Sequence, residues 1–385
     1  MLYKRQISSE LKKYIHSTEA LILTGMRRVG KTTILKQLYS EIKSKNKAFF
    51  DFENTLDIRK FESLDYNRIW DNLAENGISK DEKAYIFIDE IQNFPKISSI
   101  AKYFIDHYQT KFFFTGSSTY YLKNLFPESM SGRKYTFEVF PLTFTEFLNF
   151  KGAEAPKQVN FFTHNKLLPL YKEYIEWGGF PGVVTENDTK EKTFKLRDIF
   201  KSYFEQDVKS LSDFKNYSLL RELIILLSKQ TGSKTDISKL ANILSTTRET
   251  IYSYLNFLEA TYFISLLPPF SKNNFRASAG SKKVYLCDSG MANFLGKPSE
   301  GQLFEQSVFQ NLRVNHELAY FDKGRRNEID FVIDKKEALE VKLNASKRDI
   351  YNLKIRSEIL KITDYKVATL NFSEEEKTIP ALNLV

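Results

Sequence analysis

The sequence predicts an α/β protein of several domains. Four short apolar runs support this: ALILTG at 20–25, AFFDFEN at 48–54, AYIFIDEI at 84–91 and KFFFTG at 111–116. They alternate with segments of helical periodicity, TTILKQLYSEIKS and SSIAKYFIDHY among them. Strands of a parallel sheet, buried on both faces, read as continuous apolar runs of this kind, each followed by a helix. A second observation is a long helical stretch that follows to about 265, broken at WGGFPG (177–182), where two glycines and Phe-Pro stop any helix. A third is the return to strands near the end, in EIDFVID and ALEVKL. At about 100–200 residues per domain, 385 residues make two to four domains. The boundaries fall at 1–150 for an α/β core, 159–212 for a helical segment after the linker KGAEAPKQ, 213–295 for a second helical unit with two strands, and 296–385 for a terminal α/β unit.

Taken in order, MLYKRQISSELKKYI is basic and has no apolar core or small-residue cleavage site, so it predicts an amphipathic helix rather than a signal peptide. No run approaches the roughly 18 apolar residues of a membrane span, and no membrane partner is expected. Cys287 is the sole cysteine, which rules out an internal disulfide and a thiolate metal cluster. His16, His107, His164 and His316 lie scattered without ligand spacing. A cytoplasmic protein is the expectation.

LTGMRRVGKTTIL, 23–35, satisfies G-x-x-x-x-G-K-[ST] with Gly25, Gly30, Lys31 and Thr32. An apolar strand leads in and a helix leads out, beginning at Lys31, Thr32 and Thr33. Glycines let successive N–H groups turn inward onto phosphate oxygens, and the helix N-terminus adds a favourable dipole. Lys31 would reach the β- and γ-phosphates and Thr32 would ligate magnesium. The acidic partner is YIFIDE: Asp89 would hold the magnesium through water, and Glu90 would polarise the attacking water. Without the phosphate loop, the same pair would be only an acidic strand end. FFFTGSS offers Thr115 or Ser117 to the γ-phosphate, and Arg133 in SGRKY is a candidate arginine finger, acting within the chain or across a contact between copies in a homo-oligomer.

The formal charge of +9 invites nucleic acid as a partner, although a lysine-rich composition alone gives the same sum. Residues 235–263 fit helix–turn–helix grammar: Asp236 caps ISKLANIL, 245–247 turn, and RETIYSYLNFLEA places Arg248 outward at its start. The loop SKNNFRASAGSKK carries Lys272, Arg276, Lys282 and Lys283 without an acid, and predicts a basic wing on phosphates; a protein-docking module is the alternative.

At the end, strand alternation puts Glu340 and Lys342 on one face, with Leu339, Val341 and Leu343 on the other. Asp330 falls on the adjacent strand of a hairpin turning at 334–337. Two such carboxylates can hold magnesium, and Lys342 can orient a metal-bound water. This resembles the D…E-x-K nuclease constellation, with Glu305 in GQLFEQSV matching that fold's helical glutamate. Lys323, Arg325 and Arg326 precede the hairpin and could face a DNA backbone. A charged surface hairpin, or a decayed fold that only binds, would show similar residues.

The segments GMRRVGKTT, FIDEIQNF, TGSS, SGRKYTFEVFPLTFTEF, WGGFPG and KVYLCDSGMANF together resemble the bacterial and archaeal AAA-type ATPases that carry a C-terminal domain of unknown function. The resemblance spans nearly the whole chain. It implies an AAA+/ASCE P-loop NTPase core, a helical lid, a winged helix and a restriction-endonuclease-like terminal fold. The sensor position departs from the wider pattern, since asparagine is usual there and Thr115 and Ser117 are the candidates here. The expectation is an ATPase using ATP and Mg2+, coupling nucleotide state to binding of duplex or branched DNA, with magnesium-dependent cleavage at the C-terminus. The alternative is an ATP-dependent switch that binds protein partners and keeps its nuclease-like domain inactive.

Overall fold

The computed structural model describes residues 3–117, 132–156, 158–209, 214, 216–271, 280–324 and 327–384. They form two compact units: unit 1 is 1–140 with 260–262, and unit 2 is 141–259 with 263–385. The division after Phe140 comes ten residues before the expected end of the α/β core.

Unit 1 opens with helix α1 (Ile7–Leu11), followed by β1 (Ala20–Thr24), α2 (Lys31–Glu41), β2 (Lys47–Asp51), α3 (Thr55–Arg59), α4 (Tyr66–Ala74), β3 (Ala84–Asp89), α5 (Ile97–His107), β4 (Thr110–Gly116) and β5 (Lys134–Glu138). The sheet order is β2-β3-β4-β1-β5, and every pairing is parallel. Each of the four expected strands is present. β1, β3 and β4 are buried along their whole length, as continuous apolar runs require. Ile22, Phe50, Ile86, Ile88, Phe112 and Phe114 pack one face against Ile69, Trp70, Ile97 and Phe104. Phe87 and Phe113 stack with ring centroids 4.2 Å apart. Full burial of one such ring stabilises by about 1.5–3 kcal/mol. β5, at the edge opposite β2, has no apolar run and leaves Tyr135, Thr136 and Glu138 exposed.

Unit 2 holds α6 (Phe144–Phe150), α7 (Phe161–Trp177), α8 (Pro181–Val184), α9 (Thr189–Ser202) continuing as a π-turn to Val208, α10 (Tyr217–Lys229), α11 (Ile237–Ile243) and α12 (Arg248–Ala260). After them come β6 (Ile264–Leu267), β7 (Lys283–Leu286), α13 (Ser289–Gly296), α14 (Glu300–Leu312), β8 (Leu318–Asp322), β9 (Glu328–Ile333), β10 (Glu337–Lys342), α15 (Lys347–Leu360), β11 (Asp364–Thr369) and β12 (Thr378–Pro380). β6 and β7 form an antiparallel pair. The first of these strands ends before the two prolines, Pro268 and Pro269. The second sheet runs β12-β11-β10-β9-β8, antiparallel across β8-β9-β10 and parallel from β10 through β12. The expected hairpin turns at Asp334 and Lys335, both at positive φ.

The WGGFPG break is a packing joint. Gly178 lies at φ +76, and a Cβ there would sit 1.8 Å from Asp288 Oδ1; one on Gly179 would sit 2.3 Å from the Leu142 carbonyl oxygen. Asp288 is fully buried and accepts from the amides of Gly179 (2.7 Å) and Met291 (3.1 Å) and from Gln310 Nε2 (3.1 Å). α14 contributes a buried polar stripe: Gln306 exchanges hydrogen bonds with the Leu286 backbone, Gln310 accepts from the Ser289 amide, and Asn311 accepts from the Phe144 amide. Segments distant in sequence (PLTFTEF, WGGFPG and KVYLCDSG) therefore converge on one helix.

Burial drives the Asp288 carboxyl up to about 6, against the hydrogen bonds that favour its charge. A carboxyl with a higher pKa folded than unfolded contributes fully below its unfolded value, about 3.9, and that contribution is lost as pH rises through the folded value. Wild-type stability relative to Asp288→Asn is expected to fall by about 2 kcal/mol between pH 4 and pH 7, read from urea unfolding at each pH. A pH-independent difference would contradict this.

Candidate active site

In unit 1, the C-terminal ends of β1, β3 and β4 bring the expected residues together, as open parallel sheets do at their carboxyl edge. The phosphate loop leaves β1 through Gly25, at φ +144, where a Cβ would lie 2.2 Å from the Val139 carbonyl oxygen. It enters α2 through Gly30, at φ 100, with Lys31, Thr32 and Thr33 forming the first turn. Only glycine takes both conformations without strain. Lys31 is 5% exposed, and its Nζ donates to the carbonyls of Gly25 (2.8 Å) and Met26 (2.9 Å), so the ammonium lies within the loop.

β3 delivers Asp89 and Glu90 into the interior. Asp89 accepts from the Thr115 hydroxyl and from Thr32. Burial raises its pKa above the ordinary carboxylate value, although these hydrogen bonds oppose the rise. A hydroxyl and a carboxylate held together offer the hard oxygens that magnesium takes, so Thr32 and Asp89 fit the ion the sequence implies. Glu90 sits at φ 55, a costly conformation for a side chain of this kind. Three contacts hold it there: its N–H donates to Thr115 Oγ1 (3.0 Å), and its carboxylate accepts from Ser117 Oγ (2.8 Å) and from Gln92. Burial acts to raise the Glu90 pKa, but the charges of Lys31 and Arg27 and the two side-chain hydrogen bonds outweigh it and lower the pKa. Glu90 is thus a buried, ionised carboxylate. Thr115 bonds the Asp89 carboxylate and the Glu90 backbone N–H, and Ser117 bonds the Glu90 carboxylate.

Several participants carry no signal in the sequence. Arg27 Nη1 lies 3.9 Å from Glu90 and 3.7 Å from Glu53. Burial and the charge of Glu90 raise the pKa of Glu53. Arg27 occupies a variable position of the loop pattern, and Gln92 follows the acidic pair by two residues, so neither stands out from its neighbours. Arg133, by contrast, is not brought here. It precedes β5, its carbonyl accepts from Ala20 at the start of β1, and its Nε pairs with Asp106 (2.8 Å). In a parallel sheet that is the edge opposite the phosphate loop, so an arginine finger acting within the chain is not what the fold provides.

Residues 17–148 match the AAA domain family. Unit 1 is a P-loop domain of AAA type. Residues 168–301 match a family described as Domain of unknown function (DUF8612). An uncharacterized protein of Methanocaldococcus jannaschii is 28% identical over 368 residues, covering 89% of this chain and 81% of that protein. Another, from Haemophilus influenzae, is 26% identical over 353 residues, covering 88% and 85%. Among solved structures, the Walker-type ATPase of Pyrococcus abyssi superposes with a TM-score of 0.50 at 14% identity, over 77% of this chain and 96% of that one, which is a likeness of fold.

The terminal acidic set, within unit 2, is close-knit but differs from the expected metal site. Lys283 is the first residue of β7 and only 2% exposed, so it is not a phosphate-facing residue of a basic wing. Its Nζ lies 2.7 Å from Glu328, 3.2 Å from Glu305 and 3.4 Å from Asp330. Glu305 also accepts from Tyr285 (2.6 Å), and Asp330 from the Val341 amide (2.9 Å). Glu340 pairs with Lys342 (2.9 Å) and with Arg356 of α15 (3.2 Å). Burial, reinforced by the charge of Asp330, raises the pKa of both Glu305 and Glu340. With three cations already among these carboxylates, the donor set does not fit a divalent ion as it stands, and among the described residues no three His, Cys, Asp or Glu side chains group as metal ligands. Lys272, Arg276, Arg325 and Arg326 lie outside the described residues. Among the described residues no helix is long and apolar enough to cross a membrane.

Proposed function

We propose that the protein hydrolyses ATP with magnesium and couples its nucleotide state to DNA binding. One observation carries the hydrolytic part: Thr115 joins Asp89, bonded to Thr32, with Glu90, ionised beside Lys31 and Arg27. Lys31 and the loop amides would hold the phosphates, and Thr32 and Asp89 would hold magnesium, which neutralises charge developing on the transferred phosphoryl group. Glu90 would orient and deprotonate the attacking water, with Ser117 and Gln92 fixing its carboxylate.

Support for DNA comes from unit 2. The order α10-α11-α12-β6-β7 supports a winged-helix reading, and Asp236 caps α11 in keeping with helix–turn–helix grammar. Arg248 and Tyr252 are exposed at the start of α12, and Tyr252 lines a groove of about 800 Å³ together with Lys234, Asp236, Ser238, Asn256 and Lys282. The element order α14-β8-β9-β10-α15-β11 supports a nuclease-like terminal fold. A specific observation, Lys283 among the acids, favours the reading in which that fold binds rather than cleaves.

The test is ATP turnover with and without duplex, single-stranded and branched DNA, together with DNA affinity against salt. Stimulation by one DNA form is expected, and affinity is expected to fall about 10³-fold or more between 50 and 200 mM salt if six or more phosphates are contacted. Turnover with no response to any DNA, and no binding at 50 mM salt, would turn the assignment toward a protein-binding switch.

A further inference from the structure

We infer that Arg5 is a positioning residue of the phosphate loop, orienting the Val29–Gly30 peptide for the nucleotide; this rests on the reading of Gly25 to Thr33 as a nucleotide site. Arg5 is 8% exposed. Its Nη1 donates to the Val29 carbonyl and its Nη2 to the Phe140 carbonyl, both at 2.8 Å. One planar guanidinium thus spans the last residue before Gly30 and the end of the segment after β5. In a trans peptide the Val29 carbonyl and the Gly30 N–H point in opposite directions across a rigid plane. Pinning the carbonyl on Arg5 fixes the N–H on the side away from the guanidinium, where a phosphate oxygen can accept it.

The same segment fixes the other end of the loop. Gly25 packs so closely on Val139 that no side chain fits between them, and the Val139 amide donates to Thr24 (2.7 Å). Both glycines of the loop are therefore referenced to Val139 and Phe140, one by contact and one through Arg5. Arg5 itself is anchored. Leu11 at the end of α1 is fully buried, and the Tyr3 carbonyl accepts from Gln37 of α2 (3.0 Å). Without this clamp, the Val29–Gly30 peptide can turn about ψ of Val29 and the freely varying φ of Gly30, carrying the Gly30 N–H out of the cradle. Lysine retains the charge but not the fork, and cannot hold both carbonyls in one plane.

The experiment compares wild type, Arg5→Lys, Arg5→Ala and Lys31→Ala in steady-state hydrolysis and in displacement of labelled ATP by inorganic triphosphate. Arg5→Lys is expected to raise KM for ATP about tenfold with kcat changed less than threefold, and to weaken triphosphate competition by the same factor. Arg5→Ala should go further in the same direction; if it does not fold, Arg5→Lys decides alone. Equal triphosphate affinity in wild type and Arg5→Lys would overturn the inference. So would a fall in kcat with KM unchanged. If wild type itself binds no ATP, the nucleotide reading fails instead, which the wild-type arm shows directly.

Discussion

Glu90→Gln should stop ATP hydrolysis while leaving ATP binding within about threefold of wild type, whereas Lys31→Ala should lose both. The two substitutions separate because the residues face different parts of the reaction. Lys31 sits inside the loop, 2.8–2.9 Å from two of its carbonyls, where it would supply the charge for bound phosphates. Glu90 has a different task. It is buried and kept ionised by Lys31 and Arg27, and it is held at an unfavourable φ by Thr115 and Ser117. Glutamine keeps its volume but cannot take a proton from water. Loss of a positioned general base costs about 10²–10⁴ in rate, so turnover of Glu90→Gln should drop by at least two orders of magnitude in a steady-state assay. Because its pKa lies below the ordinary glutamate value, this group should impose no loss of activity from pH 8 to pH 6; its protonation would matter only in more acidic solution. Glu90→Gln turning over ATP at the wild-type rate would remove Glu90 from the chemistry. Normal binding by Lys31→Ala would remove the loop.

Much of unit 1 is legible in the sequence because its signals are local. A buried parallel strand must be apolar throughout, and a phosphate loop must have glycine at both ends and lysine next to the second. Asp89 and Glu90 follow from the same logic, since a polar pair ending such a strand needs a reason to be there. β5 is not legible, because none of its residues is buried and it carries no apolar run, unlike β2 at the opposite edge, which buries Ala48 and Phe50. Arg5 and Arg27 are hidden for another reason: an arginine among many on a basic chain shows nothing until its guanidinium is seen against a carbonyl or carboxylate. In unit 2 the glycines of WGGFPG read as a helix break, which they are, but the cause lies 109 residues away in the carboxylate of Asp288. Such a contact leaves no periodicity. Lys283 misleads for the same reason. Its neighbours in sequence are basic and loop-forming, while its neighbours in space are acids from α14 and β9.

Lys283→Met is expected to destabilise unit 2 by about 3–5 kcal/mol, the usual cost of removing one partner from a buried ionic group. Glu305, Glu328 and Asp330 would be left facing one another with their shared cation gone, and burial already penalises the charge of Glu305. At about 2–4 °C per kcal/mol for a unit of this size, melting should fall by roughly 6–20 °C. The loss must come from uncompensated charge rather than from packing, because methionine fills similar space. Adding Asp330→Asn in the Lys283→Met background should therefore recover part of it, while Asp330→Asn alone should cost stability. That change of sign is the signature of coupling between two groups in contact. Additive losses would mean that Lys283 is merely a buried stem whose charge is satisfied elsewhere. A recovery would establish that the Lys283 ammonium is what allows the largely buried Glu305 and Asp330, with the half-exposed Glu328, to lie together.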